Sequence, residues 1–222
     1  MFDAQIRHIK SHFNITPDEI DLPTFPLFAL FDPALGMTAI IPDMDPTKPA
    51  RVNPEKIIEA ILNQGVTNMF ASPALLNRVG RYGKSKGIKL PSLKRVVSAG
   101  APVSPSNIER FASMLRDDAE IHTPYGATEA VPVISIGSNE ILSETARLSE
   151  QGFGICVGRP LEEIQVRIIK ITDNPIKKWS DSLMVSSNEI GEITVSGDLV
   201  TKQYFENTEA DALSKIKDED RV

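Results

Sequence analysis

The stretch that decides the fold runs from Asn53 to Leu115: NPEKIIEAILNQG (53–65), VTNMF (66–70), SPALLNRVGRY (72–82), LKRVVS (93–98) and PSNIERFASML (105–115). In the first of these, Asn53 suits a helix N-cap, Pro54 the first helical position and Gly65 the left-handed stop, while Ile57, Ile58, Ile61 and Leu62 form one apolar stripe. This spacing predicts a helix. Val66 to Phe70 and Leu93 to Ser98 read as strands. Pro73 to Tyr82, behind a Ser72 cap, and Pro105 to Leu115, with Ile108, Phe111, Ala112 and Leu115 on one face, read as helices. Strand and helix in alternation predict an α/β fold, a parallel sheet with flanking helices. Ligands of such sheets sit beyond the carboxyl ends of the strands, so the loops after Ser98 and after about Thr123 are the places to examine.

Upstream, Ala4 to Ile15 places Ile6, Ile9 and Phe13 at helical spacing, with Arg7, His8, Lys10 and Ser11 mostly on the other side. Thr16 to Glu19 is a turn with the spacing of a capping box. The apolar runs Leu27 to Phe31 and Met37 to Ile41 read as buried, and periodicity does not separate strand from short helix there. Downstream of about Gly158 the texture changes: Ile164, Val166 and Ile168 alternate with Gln165 and Arg167, and Gly191 to Gly197 reads as a strand between turn glycines. A smaller antiparallel, β-rich, barrel-like portion is expected, joined through the polar loop Ser180 to Glu189. The division is residues 1–155 for the α/β part and 156–222 for the β-rich part. The charged run Glu206 to Arg221 carries no stop signal of its own and reads as cut rather than finished.

With 222 residues, 41% apolar and 24% charged, the chain has the composition of a folded protein with a sizeable core. The formal charge of −6 has the wrong sign for a general grip on nucleic acid. The single cysteine, Cys156, makes no internal disulfide, and the sequence has neither a signal peptide nor a transmembrane run; a cytoplasmic location is expected.

The strongest chemical string is TPYGATE (123–129), after a short strand predicted at Ala119 to Ile121. The Thr128 hydroxyl suits a phosphate oxygen, the Glu129 carboxylate is a hard ligand for Mg²⁺, and Tyr125 offers a flat face to a base. Spacing alone favours a plain turn in which Gly126 supplies an unusual backbone angle. SAGAP (98–102) runs from a strand into small residues that let backbone groups approach a ligand, and taken alone it is weak. His8, His12 and His122 do not make a metal pattern and read as surface or packing residues. Trp179, Cys156, Asp43 and Asp45 have no sequence partners that would make them catalytic or calcium-binding.

Taken in order, Leu22 to Phe28, Ser98 to Pro102, Tyr125 to Glu129, Val157 to Pro160 and Gly191 to Gly197 resemble the adenylate-forming superfamily of acyl-CoA synthetases, peptide-synthetase adenylation domains and luciferases, over nearly the whole chain. The resemblance implies part of the large N-terminal domain of such an enzyme. It also implies ATP-dependent activation of a carboxylic acid as acyl-adenylate, with release of pyrophosphate. Carried over, Gly100, Ala101 and Pro102 become a wall of the adenine pocket, Tyr125 with Gly126 its stacking face, Thr128 a phosphate contact and Glu129 the Mg²⁺ ligand. Residues near Phe25 to Phe31, Phe70 to Leu76 and Val131 to Ile136 become the acyl pocket. The family's phosphate loop would lie upstream of Met1, and its ribose-binding aspartate, hinge and C-terminal lid beyond Val222, so the chain by itself is expected to be inactive. The strings Leu22 to Met37 and Ile41 to Ala50 are similar to bacterial β-lactone synthetases of olefin biosynthesis, relatives of the fatty acyl-CoA ligases. That implies a 3-hydroxy fatty acid substrate and no CoA; the alternatives are a CoA-using fatty acyl-CoA ligase and a non-catalytic nucleotide-binding fragment.

Overall fold

The helix expected from Asn53 is present over Pro54–Gln64, with the Asn53 side chain accepting from the Glu55 N–H at 3.0 Å and Gly65 left-handed at φ +62°. In the computed structural model, which describes residues 1–26 and 28–218, this is α3, after α1 (Phe2–His12) and α2 (Asp32–Leu35) and before α4 (Pro73–Lys86) and α5 (Pro105–Ala112). Leu27, inside the first apolar run, and residues 219–222, at the end of the charged run, lie outside the described residues. Serine side chains cap α4 and α5 as their sequences require, Ser72 accepting from Leu75 N–H and Ser104 from Asn107 N–H.

The alternating pattern gives an all-parallel sheet of β1 (Ile20–Pro23), β2 (Thr38–Ala39), β3 (Asn68–Ala71), β4 (Arg95–Ser98) and β5 (Glu120–His122), in the order β2-β1-β3-β4-β5. Side chains alternate between its faces. Leu22, Met69, Val96 and Ile121 join the main core with Ile57 and Ile61 of α3, Leu75, Leu76 and Val79 of α4, and Ile108 and Phe111 of α5. The opposite face packs under α1 and α2 through Phe13, Ile15 and Leu35, with Ile6, Ile9, Phe31, Met37 and Val97 against them.

Downstream lie an antiparallel sheet of β6 (Tyr125–Ala127), β7 (Ala130–Ser135) and β8 (Arg159–Pro160) and an antiparallel pair of β9 (Gln165–Ile169) and β10 (Glu192–Ser196). The β9–β10 pair lies in the antiparallel portion expected beyond residue 156, whereas β6 and β7 lie within residues 1–155 and only β8 of their sheet lies beyond; among the described residues the two sheets do not close into a barrel.

Several local expectations change, and one open choice is settled. The Thr16 to Glu19 box forms, Glu19 Oε1 accepting from the Thr16 N–H at 3.1 Å and hydroxyl at 2.9 Å, but it leads into β1 and not a helix. His8, placed on the outer side of α1, is 5% exposed and bonded to Asp198 at 2.9 Å, because the C-terminal part packs on that side. Leu30 and Ile41, read as buried, are 64% and 70% exposed. The first apolar run is short helical turns, Phe28–Leu30 and α2, because Asp32 and Pro33 suit a helix start and Gly36 a left-handed stop. Leu62 of the α3 stripe is likewise exposed.

Candidate nucleotide and acyl site

SAGAP leaves the carboxyl end of β4 and TPYGATE that of β5, and these strands are neighbours paired Val97 to His122. Strand adjacency therefore brings together two strings that lie more than twenty residues apart in sequence. Gly100 takes φ +91° with open space where a side chain would be. It, Ala101, Pro102, Tyr125, Gly126 and Thr128 are all exposed, Tyr125 to 40%. The result is a solvent-facing ledge of small residues, an aromatic face and a hydroxyl at the strand ends.

Gly126 has a second requirement. In the β6–β7 hairpin a Cβ there would lie 2.6 Å from the Ala130 carbonyl oxygen. Gly126→Ala is therefore expected to prise β6 from β7 and accelerate amide exchange at Ala130 and Ile134; unchanged protection would show that the hairpin tolerates the methyl.

Glu129 is tied at both ends. Its carbonyl accepts from the Thr201 N–H at 2.8 Å and its Oε1 from the Tyr204 hydroxyl at 2.9 Å. The Tyr204 hydrogen bond is the main cause that holds this carboxyl below its ordinary range, so it is an anion at neutral pH, as a hard-cation ligand requires. Sequence reading missed Tyr204, which is seventy-five positions away and carries no local signal.

Beside the ledge, between the sheet and α1 and α2, lies an apolar cavity of about 90 Å³. Phe28, Phe31, Phe70, Val131 and Pro132 line it, so the three segments expected to form an acyl pocket converge there. Phe28 stacks on Phe70 with ring centroids 3.7 Å apart. The same cavity touches Ala99 and Pro124, the residues next to Gly100 and Tyr125.

Beneath it, register aligns Asp21, Asn68, Arg95 and Glu120 across four strands on one sheet face. Glu19 accepts from Arg95 Nη1 at 2.9 Å and from the Asn68 amide. Burial raises the Glu19 carboxyl, but hydrogen bonds from Asn68, Thr16 and Arg95 together outweigh it and bring it to about 2. Asp21 has only the Leu22 N–H as a donor, which does not outweigh burial: burial first, then the nearby Asp32, pushes it up to about 8. Burial alone pushes Asp32 up to about 6. His122 is lowered to about 4 by burial and then by His12 and Arg95, and its ring packs 5.2 Å from Phe13. Sequence reading missed this polar row; its available signal was one charged residue in each of two mostly apolar strands, Asp21 in β1 and Arg95 in β4.

Residues 26–205 match the family model described as AMP-binding enzyme, which is most of the chain. The chain belongs to the AMP-binding enzyme family. Among curated AMP-binding relatives it is 45% identical over 217 residues to an olefin beta-lactone synthetase of Stenotrophomonas maltophilia, covering 98% of this chain and 38% of that protein. It is 26% identical to a long-chain-fatty-acid–CoA ligase of Thermus thermophilus, covering 88% of this chain and 35% of the relative. The chain thus spans well under half the length of these relatives. Its fold is that of an amide bond synthetase from Marinactinospora thermotolerans, with TM-score 0.72 at 22% identity over 94% of this chain and 39% of the other. This AMP-binding chain therefore has the parallel sheet, flanking helices and small antiparallel sheets expected from its sequence. Among the described residues no helix is long and apolar enough to cross a membrane.

Cys156 is free and exposed, and the guanidinium of Arg167 lies 4.4 Å from the Trp179 ring. Asp43 pairs with Lys56, and Asp45 accepts from Thr47. Among the described residues no three His, Cys, Asp or Glu side chains gather as a metal cluster.

Proposed function

We propose that this chain is the nucleotide- and acyl-binding part of an enzyme that activates a long-chain carboxylic acid as its acyl-adenylate, releasing pyrophosphate. The observation that carries the reading is the convergence of Gly100–Pro102 and Tyr125–Glu129 at adjacent strand ends, beside an apolar cavity. In this reading Gly100, Ala101 and Pro102 border the adenine, Tyr125 and Gly126 present its stacking face, and Thr128 donates to a phosphate oxygen. Glu129, ionised and half-exposed, fits a Mg²⁺ ion. When bound, Mg²⁺ offsets negative charge on the phosphates. The protein's own part is orientation and hydrogen bonding, which supply much of the rate in such transfers.

The acid is a 3-hydroxy fatty acid, in keeping with the 45% identity to a β-lactone synthetase. A β-lactone joins the carboxyl carbon to an oxygen on Cβ, so the acid that forms it carries a hydroxyl there. Residues 1–155 hold the adenine and acyl pockets, and 156–222 form the β-rich part that meets a lid. The setting is cytoplasmic. A fatty acyl-CoA ligase is the second reading, favoured by the 26% identity to such an enzyme. Product formation that requires CoA would select it.

The test is calorimetric titration of the 222-residue chain with a non-hydrolysable tetradecanoyl-adenylate analogue, with and without Mg²⁺. Tyr125→Ala is expected to weaken binding by about tenfold or more in both conditions, the loss of one stacked ring. Glu129→Ala is expected to remove only the Mg²⁺-dependent gain. Undiminished affinity in Tyr125→Ala would move the adenine site elsewhere.

A further inference from the structure

Within the apolar cavity one polar atom stands out. Asp32 is 2% exposed, lines the cavity, and its Oδ2 has no hydrogen-bond partner. The other polar side chains on the lining differ. Asn68 and Arg95 are engaged with Glu19, and the Asp21 carboxylate accepts from the Leu22 N–H. An unpaired buried oxygen is costly, and burying a carboxyl among Phe31, Leu35 and Phe70 is costlier still. No hydrogen bond within α2 engages that oxygen: Asp32 is the first residue of the helix, after an N-cap at Phe31, with Pro33 beside it and Gly36 at the helix end. Buried polar atoms that serve no local structure and open onto a cavity mark places where a ligand supplies the partner.

We infer that Asp32 is the specificity-determining residue of this cavity, hydrogen-bonding a hydroxyl carried by the acyl chain and so selecting hydroxylated acids over plain ones. The inference rests on the acyl-site reading above and adds the residue that makes the choice. A hydroxyl matches this carboxyl in either protonation state, accepting from its O–H or donating to its ionised oxygen. A methylene does neither and would leave Oδ2 unpaired beside it. Sites built to bond a substrate hydroxyl reject the analogue lacking it more strongly than apolar pockets reject an added group. Phe28, Phe31 and Phe70 would hold the chain on either side of that bond.

The experiment compares two probes on the 222-residue chain by calorimetry: the tetradecanoyl-adenylate analogue and its 3-hydroxytetradecanoyl counterpart. The unaltered chain is expected to bind the hydroxylated probe at least about tenfold more tightly. Asp32→Leu is expected to abolish that preference while keeping affinity for the plain probe, since it removes only the polar atom. If Asp32→Leu does not fold by circular dichroism, Asp32→Ala, which adds no bulk, makes the same comparison. Asp32→Asn, which keeps hydrogen-bonding groups, is expected to retain part of the preference, which a purely packing role would not. Equal binding of both probes by the unaltered chain would overturn the role of Asp32 and leave the acyl site standing. A preference that persists undiminished in Asp32→Leu would do the same. Failure of both probes to bind would instead overturn the acyl-adenylate reading, and this inference with it.

Discussion

Arg95→Met is expected to destabilise the chain by about 3–5 kcal/mol, the usual consequence of removing one partner of a buried ion pair. The Arg95 and Glu19 side chains are only 12% and 7% exposed, and Arg95 also donates to Asn68 and to the Asn14 carbonyl. Without the guanidinium, Glu19 is left as an anion in a largely buried site. Its carboxyl, now at about 2, should rise, because one of the donors that outweighed burial is gone. The double variant Glu19→Gln/Arg95→Met removes both charges and keeps a neutral oxygen for Thr16 and Asn68. It should recover most of the loss. Urea unfolding of the two single variants and the double variant checks this, and a double variant no better than Arg95→Met would show that packing by the Arg95 stem, not charge, carries the effect.

Asp21→Asn should change how stability depends on pH. The Asp21 carboxyl is raised in the folded protein to about 8 from an ordinary 3.8. Below the ordinary value both folded and unfolded chains hold the proton and nothing is lost. As pH rises from there the unfolded chain ionises first, so stability drains away until the folded group ionises too, near 8. The limit is about 1.4 kcal/mol per pH unit. The asparagine variant has no such proton, so its advantage over the unaltered chain should grow from about pH 4 to pH 8, reach a few kcal/mol, and then level. Other shifted groups act elsewhere. Glu19, lowered to about 2, contributes stability that is lost only as pH falls towards that value. His122, lowered to about 4 from 6.5, is held neutral by burial and loses its contribution as pH falls through that interval. Asp32 has the same sign as Asp21 but is exhausted by about 6, leaving the interval above it to Asp21. Parallel stability profiles for the two chains would show that Asp21 ionises in the fold as readily as in water.

Both predictions concern residues whose importance is not visible locally. Asp21 sits between Ile20 and Leu22, and a lone aspartate in a short strand is equally compatible with an exposed edge. It is buried because α1 and α2 cover that face of the sheet, an arrangement made by chain segments on both sides of β1. Asp32 is legible only as a helix-start residue beside Pro33, and its burial arises only once α2 packs on the sheet and Phe31, Leu35 and Phe70 join it in lining one cavity. Tyr204 joins Glu129 across seventy-five positions, with no periodicity linking them. His8 was misplaced for the same reason: its partner, Asp198, comes from the far end of the chain.

What the sequence determined by itself was local and periodic. The caps at Asn53, Ser72 and Ser104, the stripes of α3 to α5 and the alternation of strand with helix act through neighbours a few residues apart, so they set the parallel sheet and direct attention to SAGAP and TPYGATE. The tertiary structure decided which residues meet. Strand register lined up Asp21, Asn68, Arg95 and Glu120, adjacency of β4 and β5 joined the two strings into one ledge, and closure of α1 and α2 over the sheet made an apolar cavity with a carboxyl on its wall. The physical reason is that burial and electrostatics depend on everything packed around a group. A carboxylate is an ordinary solvated charge in the sequence, and only the surroundings brought by distant segments make it a paired anion at Glu19 or a strained acid at Asp21 and Asp32.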